Sequence, residues 1–152
     1  MLAVLLGNVY IFFGFGILMK QKINLFLRKL KKIPDFYRVK FVILFGSYAS
    51  GRQNKLSDID FAVYYDGDKD ERYEFRKNIL GILPEKFDVK IFQDLPLYVR
   101  KEVLKGKIVY ARDLSFVYDV AYETIKLFNR FKKYYYDYLD ILVISNHNKD
   151  VR

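Results

Sequence analysis

Asp58 and Asp60 stand two residues apart at the start of an apolar run, and ten residues separate them from the pair Gly46-Ser47. Residues i and i+2 of a strand share a face, so the two carboxylates project together while Ile59 turns inward. Side-by-side carboxylates repel each other unless a cation lies between them. Oxygen-only ligands of this kind suit Mg²⁺ or Mn²⁺. Gly46-Ser47 ends an earlier apolar run, Phe41 to Phe45. Glycine there lets the backbone come close to a phosphate, to which amide N–H groups and the Ser47 hydroxyl can donate. A phosphate cradle beside a paired-acid metal site is the arrangement of a nucleotide site.

A third acid lies downstream in Phe87-Asp-Val-Lys-Ile-Phe92. Alternation puts Phe87, Val89 and Ile91 on one face and Asp88 with Lys90 on the other. A lone carboxylate in an apolar strand is costly. If this strand lies beside the Asp58/Asp60 strand, Asp88 completes a site for two metal ions about 3.5–4 Å apart, suited to in-line phosphoryl displacement. The three carboxylates are then expected within about 4–6 Å of one another, with Asp88 drawing the proton from the attacking hydroxyl. The competing reading pairs Asp88 with Lys90 or Lys86 on an exposed face; the company of Gly-Ser and Asp-x-Asp favours the site. Asp66, Asp68 and Asp70 flank a turn and a helix start, where Asp is ordinary, and Asp94 is expected to cap the next helix. Tyr134, Tyr135, Tyr136 and Tyr138 read as a core or interface stripe rather than a base-stacking platform.

Composition narrows the chemistry. The chain has no Cys, and its one histidine, His147, sits in a polar tail. Thiol nucleophiles, zinc–thiolate centres and Ser-His-Asp catalysis are therefore excluded, leaving carboxylates and hydroxyls. The absence of Cys also fits a reducing compartment, and a cytoplasmic location is expected. A net charge of +9 points to a polyanion as partner or to a Lys-rich solvated surface. Lys20 to Lys40 carries eight basic residues against Asp35 alone, either a solvated helix face or a positive rim for a triphosphate.

The elements that must position these groups follow from periodicity. Gln21 to Lys32 reads as an amphipathic helix with Ile23, Phe26, Leu27 and Leu30 inward and Pro34 as its stop. Strands are expected at Lys40–Phe45, Asp58–Tyr65, Phe87–Phe92 and Ile108–Tyr110. Asp68 with Glu71 resembles a capping box for a helix to about Leu80, and Pro96 and Gly106 bracket a helix over Leu97–Lys105. Leu114 to about Leu142 is one long helix or two, with Phe116, Val120, Ile125, Phe128, Phe131 and Tyr135 on one face. The expected fold class is α+β (α/β): a small mixed sheet of about four strands, helices mainly on one side, and a C-terminal helical extension over 114–152. Residues 2–19 carry no charge. Three readings compete there: a membrane anchor, a segment packing on the domain or a partner, and upstream sequence included by a wrong start choice, Met19 being the alternative start.

Phe45-Gly-Ser-Tyr-Ala-Ser-Gly-Arg52 through Ser57-Asp-Ile-Asp-Phe-Ala-Val63 resembles the signature of the DNA polymerase β-like nucleotidyltransferase superfamily. It looks most like the minimal nucleotidyltransferase (MNT) antitoxins of HEPN–MNT toxin–antitoxin pairs. Val103 to Asp113, ending in Tyr-x-Arg-Asp, looks like that family's closing element, so the resemblance covers about residues 20–113 and leaves 1–19 outside it. It implies that Gly46 and Ser47 hold a nucleoside triphosphate, expected to be ATP. It implies that Asp58 and Asp60 bind two Mg²⁺ (Mn²⁺ being the alternative) and that Asp88 is the third catalytic and metal-binding acid. It further implies transfer of AMP to a tyrosine hydroxyl of a HEPN ribonuclease toxin. An antitoxin acting by binding alone, or transfer to a small molecule or nucleic acid, is the alternative; no direct nucleic-acid contact is expected. Ser50 stands where related sequences often carry Arg, and Arg52 is the candidate to supply that charge.

Overall fold

The structure, a computed structural model, describes residues 4–5, 8–9, 16–54 and 56–147. Six strands form one mixed sheet: β1 (Val4–Leu5), β2 (Asn8–Val9), β3 (Val39–Phe45), β4 (Ile59–Tyr65), β5 (Phe87–Ile91) and β6 (Lys107–Ala111). Their spatial order is β1-β2-β6-β3-β4-β5. Only β4 and β5 run parallel, as a crossover through the intervening helix requires. Of the apolar segment 2–19, the two short strands and the start of the first helix are described, and the rest lies outside the described residues. β2 pairs with β6 at Val9 and Ala111, in line with the reading of this segment as packing on the domain. Among the described residues no helix is long and apolar enough to cross a membrane.

Helices cover both faces of the sheet, where the sequence suggested mainly one. The reason is visible in β3, whose Phe41, Val42, Ile43 and Leu44 are all buried; a strand buried on both sides must be covered on both sides. On one face lie α1 (Ile17–Leu30) and α3 (Lys69–Ile82). α1 buries Ile23, Phe26, Leu27 and Leu30 as their spacing predicts, and Phe26 stacks on Phe61 at 3.8 Å. It starts four residues before Gln21 because Gly16 caps it, and Ile17 and Leu18, being exposed, add nothing to the buried stripe. Asp68 and Glu71 form the expected capping box at the head of α3. Glu71 also takes a two-pronged hydrogen bond from Arg38, at 2.7 and 2.9 Å, which holds its carboxyl down at about 2.

The other face carries α4 (Leu97–Val103) and α5 (Leu114–His147) over Phe41, Ile43, Ala62 and Phe92. Asp94 does not cap α4, which begins behind Pro96; its carboxylate instead accepts from Arg72 at 2.6 Å. α5 is a single helix of 34 residues. Its inward line runs through Val117, Thr124 and Phe128, with Tyr135 stacked on Tyr98 at 5.3 Å, whereas Ile125 and Phe131 are exposed. Phe116, Val120, Phe128 and Tyr135 face inward as expected, and Thr124 joins them because its hydroxyl donates to the Val120 carbonyl at 2.7 Å. Tyr134, Tyr136 and Tyr138 are exposed.

Gly106 turns the chain from α4 into β6 and presses on β3. A Cβ there would meet the Leu44 carbonyl oxygen and lie 2.9 Å from the Ile43 Cγ2 methyl. Gly106→Ala is expected to destabilise the protein by about 1–3 kcal/mol, read as a lowered urea midpoint. An unchanged midpoint would show that the turn has room to give.

Candidate active site

β3 delivers the chain to Gly46 at the edge of the sheet face that carries α4 and α5. Its last residue, Phe45, is the antiparallel partner of Asp60. Gly46 adopts φ 74° and ψ −151°, a conformation open in practice to glycine alone. A Cβ on Gly46 would stand 2.6 Å from Asp60 Oδ2. Both backbone and space therefore demand glycine. Ser47–Ser50 then form a single helical turn, α2, closed by Gly51 at φ 72°. The sequence reads this stretch as a plain loop; the helical turn goes beyond it, and the signal for it is the bracketing pair Gly46 and Gly51. The first amides of a helix lack intrahelical acceptors, so Ser47 and its neighbours present donors beside the carboxylates.

Ile59, Phe61 and Val63 point into the core under α1, which turns Asp60 and Ala62 toward the opposite face. Asp58 stands one residue ahead of β4 and is exposed, while Asp60 is half-buried. In the parallel register Asp60 lies directly beside Asp88, and neighbouring strands are about 4.8 Å apart. Burial raises the Asp60 pKa, and the negative charges of Asp88 and then Asp58 raise it further, with Lys90 opposing them. The three carboxylates thus share one electrostatic neighbourhood on one face of the sheet.

Asp88 is also held by two cations. Lys90 Nζ lies 2.9 Å from one of its oxygens and Arg76 3.6 Å from the other. Arg76 is itself fixed by donating to the Val89 carbonyl at 2.6 Å. The Lys90 pairing is the competing reading of Asp88 realised, but it coexists with the Asp60–Asp88 register rather than replacing it. Among the described residues, no three or more Asp, Glu, His or Cys side chains are gathered as a ready-made metal cage. The donors nonetheless suit a hard divalent cation: they are oxygen only, the charges of Asp88 and Asp58 raise the proton affinity of Asp60, and Gly46 puts no side chain against it. Mg²⁺ is commonly held by one or two carboxylates plus phosphate oxygens of the substrate rather than by an all-protein cage.

Two clefts flank α2. One, of about 450 Å³, is lined by Gly46, Ser50, Arg52, Glu102 and Lys105. Ser50 and Arg52 thus share a wall, as expected if Arg52 supplies the charge that Ser50 lacks. The other, of about 770 Å³, is lined by Lys22, Tyr48, Gln53, Asn54 and Lys86. Lys22 stands over the Tyr48 ring at 5.1 Å. Within the basic run, Arg38 and Lys40 are occupied by Glu71 and by Asp66 at 3.1 Å, so their role is in the scaffold. Tyr48, Gln53 and Asn54 escaped the sequence reading, and Lys86, weighed there only as a partner for Asp88, comes to the loop after α2 only through the fold.

Two outcomes follow from this geometry. Because the Asp60 pKa is raised in the fold, its carboxyl favours the folded state below its ordinary value, and that benefit disappears as pH rises through the raised value. Asp60→Asn should therefore leave the metal-free protein as stable as the parent or more so near neutral pH, with the gain vanishing in acid. A neutral-pH melting temperature below that of the parent would contradict the repulsion. Gly46→Val should cost about 1–3 kcal/mol in backbone strain and abolish triphosphate binding; calorimetry showing unchanged ATP affinity would reduce Gly46 to a structural turn.

The arrangement agrees with comparison to known proteins. The polymerase β nucleotidyltransferase domain matches residues 21–115. A candidate protein adenylyltransferase of Methanocaldococcus jannaschii is 39% identical over 75 residues, 49% of this chain and 57% of that protein. A second from the same organism is 38% identical over 91 residues, 55% of this chain and 89% of that protein. The protein adenylyltransferase MntA of Aphanizomenon flos-aquae is 45% identical over 72 residues, 43% of this chain and 45% of that protein. The chain thus spans only about half the length of the first and third of these relatives. Among solved structures, a chain of a toxin–antitoxin complex with AMP-PNP superposes with a TM-score of 0.63 at 24% identity, covering 82% of this chain and 98% of that one. A chain of the tri-AMPylated Shewanella oneidensis HEPN toxin in complex with MNT antitoxin gives 0.58 at 22% identity, covering 83% and 97%. At these identities the structural likeness establishes the fold, and the domain match establishes the family. The chain belongs to the polymerase β nucleotidyltransferase family, whose members use a divalent metal.

Proposed function

We propose that the chain transfers AMP from ATP to a hydroxyl of a protein partner, the expected acceptor being a tyrosine of a HEPN-family toxin. The observation that carries this reading is the apposition of Gly46 and Asp60 beside Asp88, which joins a phosphate approach to a carboxylate cluster. The relatives named protein adenylyltransferase and the fold shared with toxin–antitoxin structures support the choice of acceptor.

In this reading Gly46, Ser47 and the amides of α2 hold the triphosphate, and Arg52 lies within reach of its outer phosphates. Asp58, Asp60 and Asp88 hold two Mg²⁺ or Mn²⁺ ions, which supply charge neutralisation at the reacting phosphate. The acceptor oxygen attacks the α-phosphorus in line. A new P–O bond forms as the bond to the bridging oxygen breaks, and pyrophosphate leaves. The hydroxyl proton passes to Asp88, whose carboxylate Lys90 and Arg76 keep in position. Catalysis then rests on positioning and electrostatics, with no covalent enzyme intermediate.

A second reading, neutralisation by binding alone, draws on α5. At about 1.5 Å per residue, 34 residues extend about 51 Å, past the breadth of a small domain. Its distal half exposes Tyr134, Tyr138, Ile141 and Val143, which suits a partner surface in either reading. Intact-mass spectrometry separates the two. Incubation with ATP, Mg²⁺ and the partner should add roughly 329 Da per transfer event, and the mark should survive separation of the proteins. The Asp58/Asp60 double substitution to Asn should abolish it. Full neutralisation of the toxin by that variant, with no mass gain in the parent, would instead establish binding alone.

A further inference from the structure

We propose that the crevice between α4, α5 and the carboxyl ends of β4 and β5 binds a carboxylate carried on an aromatic or branched apolar body, with Arg100 as its anchor. The crevice has a volume of about 380 Å³ and is walled by Tyr64, Phe92, Val120 and Leu127. Arg100 lines it, and the Arg100 Nε is buried without a hydrogen-bond partner. A buried donor of a permanently charged group is expensive to leave unmade, and Arg100 as a residue is only partly buried where it lines the crevice. The acids that share the crevice do not close on Arg100: Glu123 pairs with Lys126 at 3.5 Å, and no ion pair joins Asp119 to Arg100.

The guanidinium fork fits a planar carboxylate through two parallel hydrogen bonds. With Arg100, Lys126 and Arg130 against Asp119 and Glu123, the lining carries one net positive charge, which matches a singly charged carboxylate better than a doubly charged phosphate. Crevices at the carboxyl ends of parallel strands are common ligand sites. The place is separate from the nucleotide site. Tyr64 lies four residues beyond Asp60 on the same face of β4, about 13 Å along the strand, and the two linings share no residue.

The test is calorimetry on the full chain with 3-phenylpropionate, its neutral amide 3-phenylpropanamide, and the capped dipeptide N-acetyl-Phe-Asp-amide. One of the two acids should bind the parent with a Kd below about 1 mM, and the neutral amide at least about ten-fold more weakly. Tighter binding of the free acid marks a small-molecule ligand; tighter binding of the dipeptide marks an acidic residue of a partner protein. Arg100→Met should abolish the acid's binding, and Arg100→Lys should weaken it by losing the fork. Leu127→Glu, on the α5 wall of the crevice, should abolish it independently, which guards against misfolding of the Arg100 variants. Equal affinity for acid and amide, undiminished binding by Arg100→Met, or no binding of either acid at about 10 mM would overturn the proposal.

Discussion

The closeness of Gly46 to the Asp60 carboxylate is the constraint on which the site depends. The β3–β4 register sets Phe45 opposite Asp60, so the next residue must turn away at once and must do so without a side chain. Only glycine tolerates that turn at φ 74°. The same turn starts α2, whose first amides follow directly on the residue that meets Asp60. Sheet register, backbone conformation and the closeness of Gly46 to Asp60 are therefore a single geometric fact. A slip of one residue would place Ile59 or Phe61 where Asp60 stands and bury the carboxylate in the core.

Electrostatics give that geometry its direction. Asp58 is open to solvent, Asp60 is half covered, and Asp88 sits between Lys90 and Arg76. Burial and like charge both work against ionised Asp60, so the fold carries a local electrostatic cost there. The lysine and arginine offset part of it at Asp88, and Lys90 also acts against the rise at Asp60. In the proposed function the substrate would complete the site, its phosphate oxygens filling the coordination that the protein leaves open.

Much of this was legible in the residues. Strand alternation placed Ile59 inward and Asp60 outward, and the Asp68–Glu71 capping box and the α1 stripe stand where the spacing put them. What was not legible has specific physical causes. The double-sided burial of β3 needed its continuous Phe41–Leu44 run to be weighed against the alternating strands around it. The inward line of α5 passes through Thr124, whose hydroxyl is satisfied within its own helix, so apolarity pointed to Ile125 and Phe131 instead. Asp94 had the look of a helix cap, but Arg72 across the fold offers a stronger, charged partner. Tyr48 and Lys86 meet at one cleft only through tertiary contact, which no local pattern encodes.

In the proposed function Asp58, Asp60 and Gly46 together receive a metal-bound triphosphate. Anomalous diffraction from crystals grown with Mn²⁺ and a non-hydrolysable ATP analogue tests it most directly. The account predicts a manganese peak within about 2.2 Å of carboxylate oxygens of both Asp58 and Asp60, with the phosphates against the amides that follow Gly46. A triphosphate seated elsewhere, or manganese that leaves Asp60 untouched while occupying other acids, would contradict it.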